Sequence, residues 1–182
     1  MIEPGLDAPQ LDGPQVDGRV LLPAEQRILD ELGDMPLDFR AMWAISNVFR
    51  SSVALRRHLE GKVLAGHRLS WTSFVGLWVL WVWGELEAHA FADAVGISRP
   101  TATGVLRTLE GRRWIRRRSD PEDRRSVLVS LTPRGRRTIA ELFPRFNAEE
   151  SALASTLTER EQEELASILR TLLRAVDPDA DG

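Results

Sequence analysis

Cysteine is absent from the 182 residues, and so is tyrosine. The first absence excludes disulfides, cysteine-ligated zinc or iron–sulfur sites, and thiol-based redox sensing. Lysine is nearly absent as well, since the 24 basic residues are arginines apart from Lys62. No uninterrupted apolar run approaches the ~20 residues that a membrane-spanning helix requires, so no membrane partner is expected. The first ten residues, MIEPGLDAPQ, have neither a basic segment nor an apolar stretch. No signal peptide is expected, and the chain is read as cytoplasmic. There is no Gly-rich phosphate loop, no G-x-S-x-G elbow and no H-E-x-x-H, so an enzyme is not expected. His58, His67 and His89 include no pair at the i, i+4 spacing of a helical metal site. Neither a metal nor a cofactor is expected.

What is present is a strong segregation of charge. The net charge of -3 conceals a stretch from Arg99 to Arg137 in which twelve arginines meet only Glu110, Asp120, Glu122 and Asp123, a net of +8. The rest of the chain has 12 basic and 23 acidic groups, a net of -11. A basic segment inside an acidic chain is the footprint of a polyanionic partner, and nucleic acid is the commonest.

Residues 1–36 read as an N-terminal extension, loose over the first twenty residues, where Pro4, Pro9 and Pro14 interrupt any periodicity. A short helix is expected over 24–33, after Pro23 and before Gly33. Residues 37–64 read as one long amphipathic helix with Met42, Ile45, Phe49, Val53, Leu55, Leu59 and Val63 on its apolar stripe, ended by Gly66. Ser70 caps a second helix over 71–83, apolar nearly all round and therefore central to the core. Thr132 and Pro133 open a helix over 133–154, expected to bend near Pro144. Thr158 and Glu161 form a capping box for a last helix to about Val176. Its apolar set, Leu165, Ile168, Leu169, Leu172, Leu173 and Val176, is too wide for a lone surface helix and needs a partner, within the chain or in a second copy.

Residues 88–107, AHAFADAVGISRPTATGVLR, fit a helix-turn-helix. Ala92 is small where two helices approach closely, Gly96 supplies the turn, and Val95, Ile97, Ala102 and Val105 are apolar where the pair must pack. Ser98 caps the second helix, with Pro100 in its first turn, where a missing N–H costs nothing. This places Ser98, Arg99, Pro100, Thr101, Thr103 and Arg107 on the part of a recognition helix that meets base edges and phosphates. Strand character in WIRRR (114–118) and SVLVSL (126–131), joined by the turn chemistry of SDPEDRR, gives a β-hairpin, or wing. Arg117, Arg124 and Arg125 are its candidate DNA contacts, with the tip pair suited to a minor groove. Asp123 is placed to shape the tip by pairing with one of them.

These pieces, Gly96-Ile97-Ser98-Arg99-Pro100-Thr101, Leu109-Glu110, Asp120-Pro121-Glu122-Asp123-Arg124-Arg125 and Leu131-Thr132-Pro133-Arg134-Gly135, resemble the multiple-antibiotic-resistance regulator (MarR) family in order and spacing across about residues 37–176. The Asp-x-Arg element from Asp123 to Arg125 is the most specific. The resemblance implies a mainly α fold with a small β-hairpin wing: a winged helix-turn-helix domain over 67–132, a helical dimerisation region over 37–66 and 133–177, and a flexible tail over 178–182. It implies a homodimer on double-stranded DNA carrying a pseudo-palindrome, with Leu142, Phe146, Leu165, Leu169 and Leu172 at the dimer interface. It also implies a transcriptional repressor, less often an activator, relieved by a small ligand between the dimer helices and the winged domain. Trp43, Phe49, His58, Trp71, Phe74 and Trp78 are the candidates for that effector, with plain aromatic core as the alternative. The other functional class left open is an architectural or adaptor winged-helix protein without an effector. Gly104 departs from the pattern inside the recognition helix, at a cost of about 1 kcal/mol relative to alanine. It either admits the DNA backbone closely or shifts the contacts to Thr101 and Thr103.

Overall fold

The computed structural model describes residues 15–16, 19–121, 123 and 126–177. The expectations for residues 1–14 and for the tail 178–182 fall outside that range. Two compact units are present, residues 1–54 and 55–182, with the division falling inside one long helix.

In the first unit, β1 (Gln15–Val16) pairs antiparallel with β2 (Arg19–Val20), followed by α1 (Pro23–Leu32). The buried Glu25 carboxylate accepts from the Leu22 N–H (2.8 Å) and from Asn47 Nδ2 (2.7 Å), tying the start of α1 to α2 (Phe39–Leu59). A donor on each carboxylate oxygen lowers the cost of removing the group from water. The single helix expected over 37–64 is instead α2, a π-helical turn over Glu60–Leu64 and a 3-10 turn over Ala65–His67. Gly66 does not end it. The chain leaves at Arg68, in the left-handed region at φ 48°.

The core of the second unit is organised on α3 (Trp71–Val82), where Ser70 caps the helix by accepting from the Ser73 N–H. Phe74, Leu77, Val79 and Leu80 are buried, each contributing about 2 kcal/mol of apolar transfer. Around α3 lie α4 (Ala88–Val95), α5 (Arg99–Gly111) and α6 (Pro133–Ala154). At Gly76 a Cβ would come within 2.8 Å of the Phe91 ring, so the missing side chain lets α4 pack directly on the α3 backbone. A three-stranded antiparallel sheet in the order β3-β5-β4 joins β3 (Leu86–Glu87), β5 (Val127–Leu131) and β4 (Ile115–Ser119). The wing hairpin was expected; β3 was not, since two residues leave too little alternation to read.

Helix α6 starts on the wing. Thr132 accepts from the Gly135 N–H (3.0 Å) and donates to the Arg113 carbonyl (2.7 Å). Gly135 lies so close to the Trp114 carbonyl that a Cβ would fall 1.9 Å from that oxygen. The Thr132-Pro133-Arg134-Gly135 run therefore serves as both a cap and a close contact between backbones.

Leu142 and Phe146, expected at a dimer interface, are 1% and 3% exposed inside the protomer's own core, and neither has surface left for a second chain. The helix α7 (Glu159–Val176) contrasts with this, because none of its residues is buried. Leu165, Ile168, Leu173 and Val176 are exposed, and Leu169 and Leu172 are partly so. The Thr158–Glu161 capping box forms as expected.

Candidate nucleic-acid interface

Helix α4 ends at Gly96, in the left-handed region at φ 70°, and α5 begins three residues later, at Arg99. Ser98 caps α5, its hydroxyl 2.8 Å from that of Thr101. The Ala102, Val105, Leu106 and Leu109 stripe is buried, which turns Arg99, Pro100, Thr101, Thr103, Gly104 and Arg107 outward. Thr103 donates its hydroxyl proton to the Arg99 carbonyl (3.0 Å), leaving the oxygen's acceptor capacity and a methyl group for a partner. Gly104 has nothing within 4 Å of a would-be Cβ, so no packing inside the chain demands glycine there.

Three acidic residues brace the wing beside this helix. Glu110 of α5 pairs with Arg117 of β4, and Glu85 pairs with Arg118 through Nη2 (2.5 Å) and Nε (3.2 Å). Glu87, which precedes α4, accepts from the Ser126 hydroxyl (2.6 Å) and faces His89 Nδ1 (3.0 Å). The Arg117 guanidinium beside Glu110 holds that carboxyl below the usual range, and Arg118 does the same to Glu85. Arg117, expected as a DNA contact, pairs with Glu110 and keeps part of its side chain exposed. Glu85 and Glu87 were not anticipated as wing braces. No local signal pointed to them, since β3 is too short to show alternation and their partners lie 33 and 39 residues along the chain. Asp123 accepts the Ser126 N–H at its carbonyl (2.9 Å). Arg124 and Arg125, and any pairing of Asp123 with them, lie outside the described residues.

The aromatic candidates fall into two sets. Trp43 and Phe49 belong to the first unit, Trp43 against Phe39 (5.8 Å between centroids) and Phe49 68% exposed. In the second unit, Phe74 stacks on Phe146 at 4.2 Å and Trp71 leans on Phe146 at 5.8 Å. Trp78 meets Trp83 edge-on at 5.4 Å, and His58 Nε2 lies 2.6 Å from Glu149. Phe74 is buried by protein atoms on all sides, as in an ordinary core.

The family model of the MarR family matches residues 69–127, from the residue before the α3 cap to the start of β5. The chain is 42% identical over 149 residues to YwaE, an uncharacterized HTH-type transcriptional regulator of Bacillus subtilis strain 168, covering 80% of this chain and 87% of that one. The chain belongs to the MarR family. Among solved structures, the DNA complex of MepR from S. aureus superposes with a TM-score of 0.67 at 26% identity, over 73% of this chain and 98% of that one. BpsR of Bordetella bronchiseptica, whose DNA binding is regulated by 6-hydroxynicotinic acid, gives 0.64 at 26% identity, over 71% and 98%. This MarR-family member is a DNA-binding transcriptional regulator with a winged helix-turn-helix, and its relatives are regulators rather than enzymes. No helix among the described residues is long and apolar enough to cross a membrane.

Proposed function

We propose that this MarR-family regulator is a sequence-specific repressor that binds a pseudo-palindromic operator as a homodimer. The observation that carries the reading is the outward face of α5, with Arg99, Thr101, Thr103 and Arg107 free of core packing beside a wing braced by Glu85, Glu87 and Glu110. Two such helices must sit ~34 Å apart to enter successive major grooves. The dimer reading is supported by α7, none of whose residues is buried among the described residues of its unit. Residues 37–66 and 133–177 form the dimerisation region in this reading, and 67–132 the DNA-binding domain. Arg124 and Arg125 reach the minor groove.

The effector is a small aromatic molecule, a reading supported by the 6-hydroxynicotinic acid that regulates BpsR. Of the candidates in the second unit, Trp71, Trp78 and His58 retain exposed surface. Binding one conformer of the dimer more tightly changes the separation of the recognition helices and so the affinity for DNA.

The test is fluorescence anisotropy on a duplex from upstream of the protein's own gene, with a scrambled duplex as control, at ~150 mM salt. A preference of ~10³-fold at two protomers per site is expected. Equal binding of both duplexes would favour the architectural reading, since phosphate contacts alone carry no sequence preference. Arg125→Ala is expected to weaken operator binding with the thermal midpoint unchanged.

A further inference from the structure

Two turns in the second unit hold arginine where glycine carries the least strain. After α5, the Arg113 N–H donates to the Glu110 carbonyl (2.8 Å) and the Trp114 N–H to that of Leu109 (3.0 Å), with Arg113 at φ 59°. After the 65–67 turn, the Arg68 N–H donates to Ala65 (2.9 Å) and the Leu69 N–H to Leu64 (3.2 Å), with Arg68 at φ 48°. The same pair of bonds closes α4, from Gly96 to Asp93 and from Ile97 to Ala92, and there the left-handed residue is glycine. This is the helix-ending motif that favours glycine, because a side chain in left-handed backbone is strained.

Both strained arginines line one cleft of about 370 Å³, together with His67, Arg112, Trp114 and Arg134. Its lining has four guanidinium groups and no carboxylate. Among the described residues, no carboxylate pairs with Arg68, Arg113 or Arg134. Arg112 is already held: it donates to the His67 (2.8 Å) and Arg68 (2.5 Å) carbonyls, with its guanidinium over the Trp114 ring at 4.8 Å. That residue ties the two turns into one wall.

We propose that this cleft binds a small phosphorylated anion through Arg68, Arg113 and Arg134, with Arg112 as a fixed part of the wall. Like charges gathered in one concavity repel until a counter-charge enters, and several cations call for a ligand of more than one negative charge. Forked guanidinium donors match phosphoryl oxygens. The volume is within the range of small-ligand sites. The cleft lies at the C-terminal end of α5, roughly 18 Å along the helix from Arg99. It is therefore separate from the surface assigned to DNA, and binding there can be read without DNA. A phosphoryl group could also come from a DNA backbone; the assignment here is to a free molecule.

The experiment uses the full chain and inorganic pyrophosphate at constant ionic strength, reading the thermal midpoint and the calorimetric affinity. The variant is the double substitution Arg68→Gly, Arg113→Gly. Because glycine suits both backbone positions, this variant is expected to be at least as heat-stable as the parent without anion. Pyrophosphate should raise the parent's midpoint, and the double variant should bind it at least tenfold more weakly. Arg134→Gln, on an exposed first-turn position, should weaken it several-fold. No shift beyond that of chloride in the parent, or undiminished affinity in the variants, overturns the site. The slope of log affinity against log salt for duplex DNA should be unchanged in the double variant. A fall in its magnitude of about two would assign the cleft to the DNA backbone and overturn the free-ligand reading.

Discussion

Helices α5 and α7 begin alike, each with a hydroxyl cap accepting from the third residue of its first turn, and they end in opposite conditions. Four apolar residues of α5 are buried within the protomer, so its polar face is what it offers to a partner. No residue of α7 is buried, and its apolar face is what remains. One helix is completed by its own chain and is free to read a polyanion. The other, with Val176 82% exposed and Ile168 59%, keeps an apolar stripe uncovered among the described residues of its unit. A contiguous apolar stripe of that kind is ordinarily covered by association.

The sharpest way to break the comparison is to damage the intramolecular side. Gly135→Ala drives a Cβ into the Trp114 carbonyl, a backbone atom that no rotamer change can move. A loss of several kcal/mol is expected, visible in denaturant unfolding and independent of protein concentration. Next in size, Leu169→Asp puts a charge on the α7 stripe. A monomer by light scattering is expected, with circular dichroism of the winged core retained; a product that stays dimeric would remove α7 from the interface. Arg99→Ala follows, with operator affinity falling by ~1–3 kcal/mol and the thermal midpoint unmoved. Gly104→Ala has room for its methyl group and should raise stability by about 1 kcal/mol. If the same substitution lowers operator affinity, the bare backbone is used for close approach to DNA; unchanged affinity places the contacts on Thr101 and Thr103.

The smallest effect is one of pH. Glu110 and Glu85 have carboxyls held below their usual value of 4.5, by Arg117 and Arg118 respectively. For an acid depressed in the folded state, the stabilisation is present above the unfolded pKa and is lost as pH falls through the folded one. Both pairs are partly solvated, which limits their worth. Wing amide protection, measured against the intrinsic exchange rate at each pH, should therefore fall below about pH 4.5 while the α3 core stays protected, and Glu110→Gln should abolish part of that pH dependence.

The helix caps and turns that frame the candidate interface were legible because their signals are local. Gly96, Ser98, Thr132 and Thr158 each act within three or four residues of themselves, through a cap or a left-handed turn, and each does so in the structure. Ala102 and Val105, expected to pack in the helix-turn-helix, are buried, and Leu106 and Leu109 extend that stripe. Most of the misreadings concern longer range. Leu142 and Phe146 were correctly apolar, and periodicity cannot say that α3 rather than a second chain covers them. Gly66 looked like a helix stop, and the chain used Arg68, a residue that no propensity argument would choose. The acids Glu85 and Glu87 carry no local signal of their role because their partners lie 33 and 39 residues away.

The sequence by itself determined where helices begin and end at capped positions, where the basic charge collects, and which face of α5 is polar. Those properties are set by bonds within a turn and by the order of side chains along a helix. Only the tertiary structure decided that Arg117 and Arg118 are clasped by carboxylates. It alone decided that Phe74 and Phe146 fill each other's space, and that Arg68, Arg112, Arg113 and Arg134 share one cleft. Each of these joins residues distant along the chain, and their proximity exists only once apolar burial around α3 has brought the wing, the helix ends and α6 together.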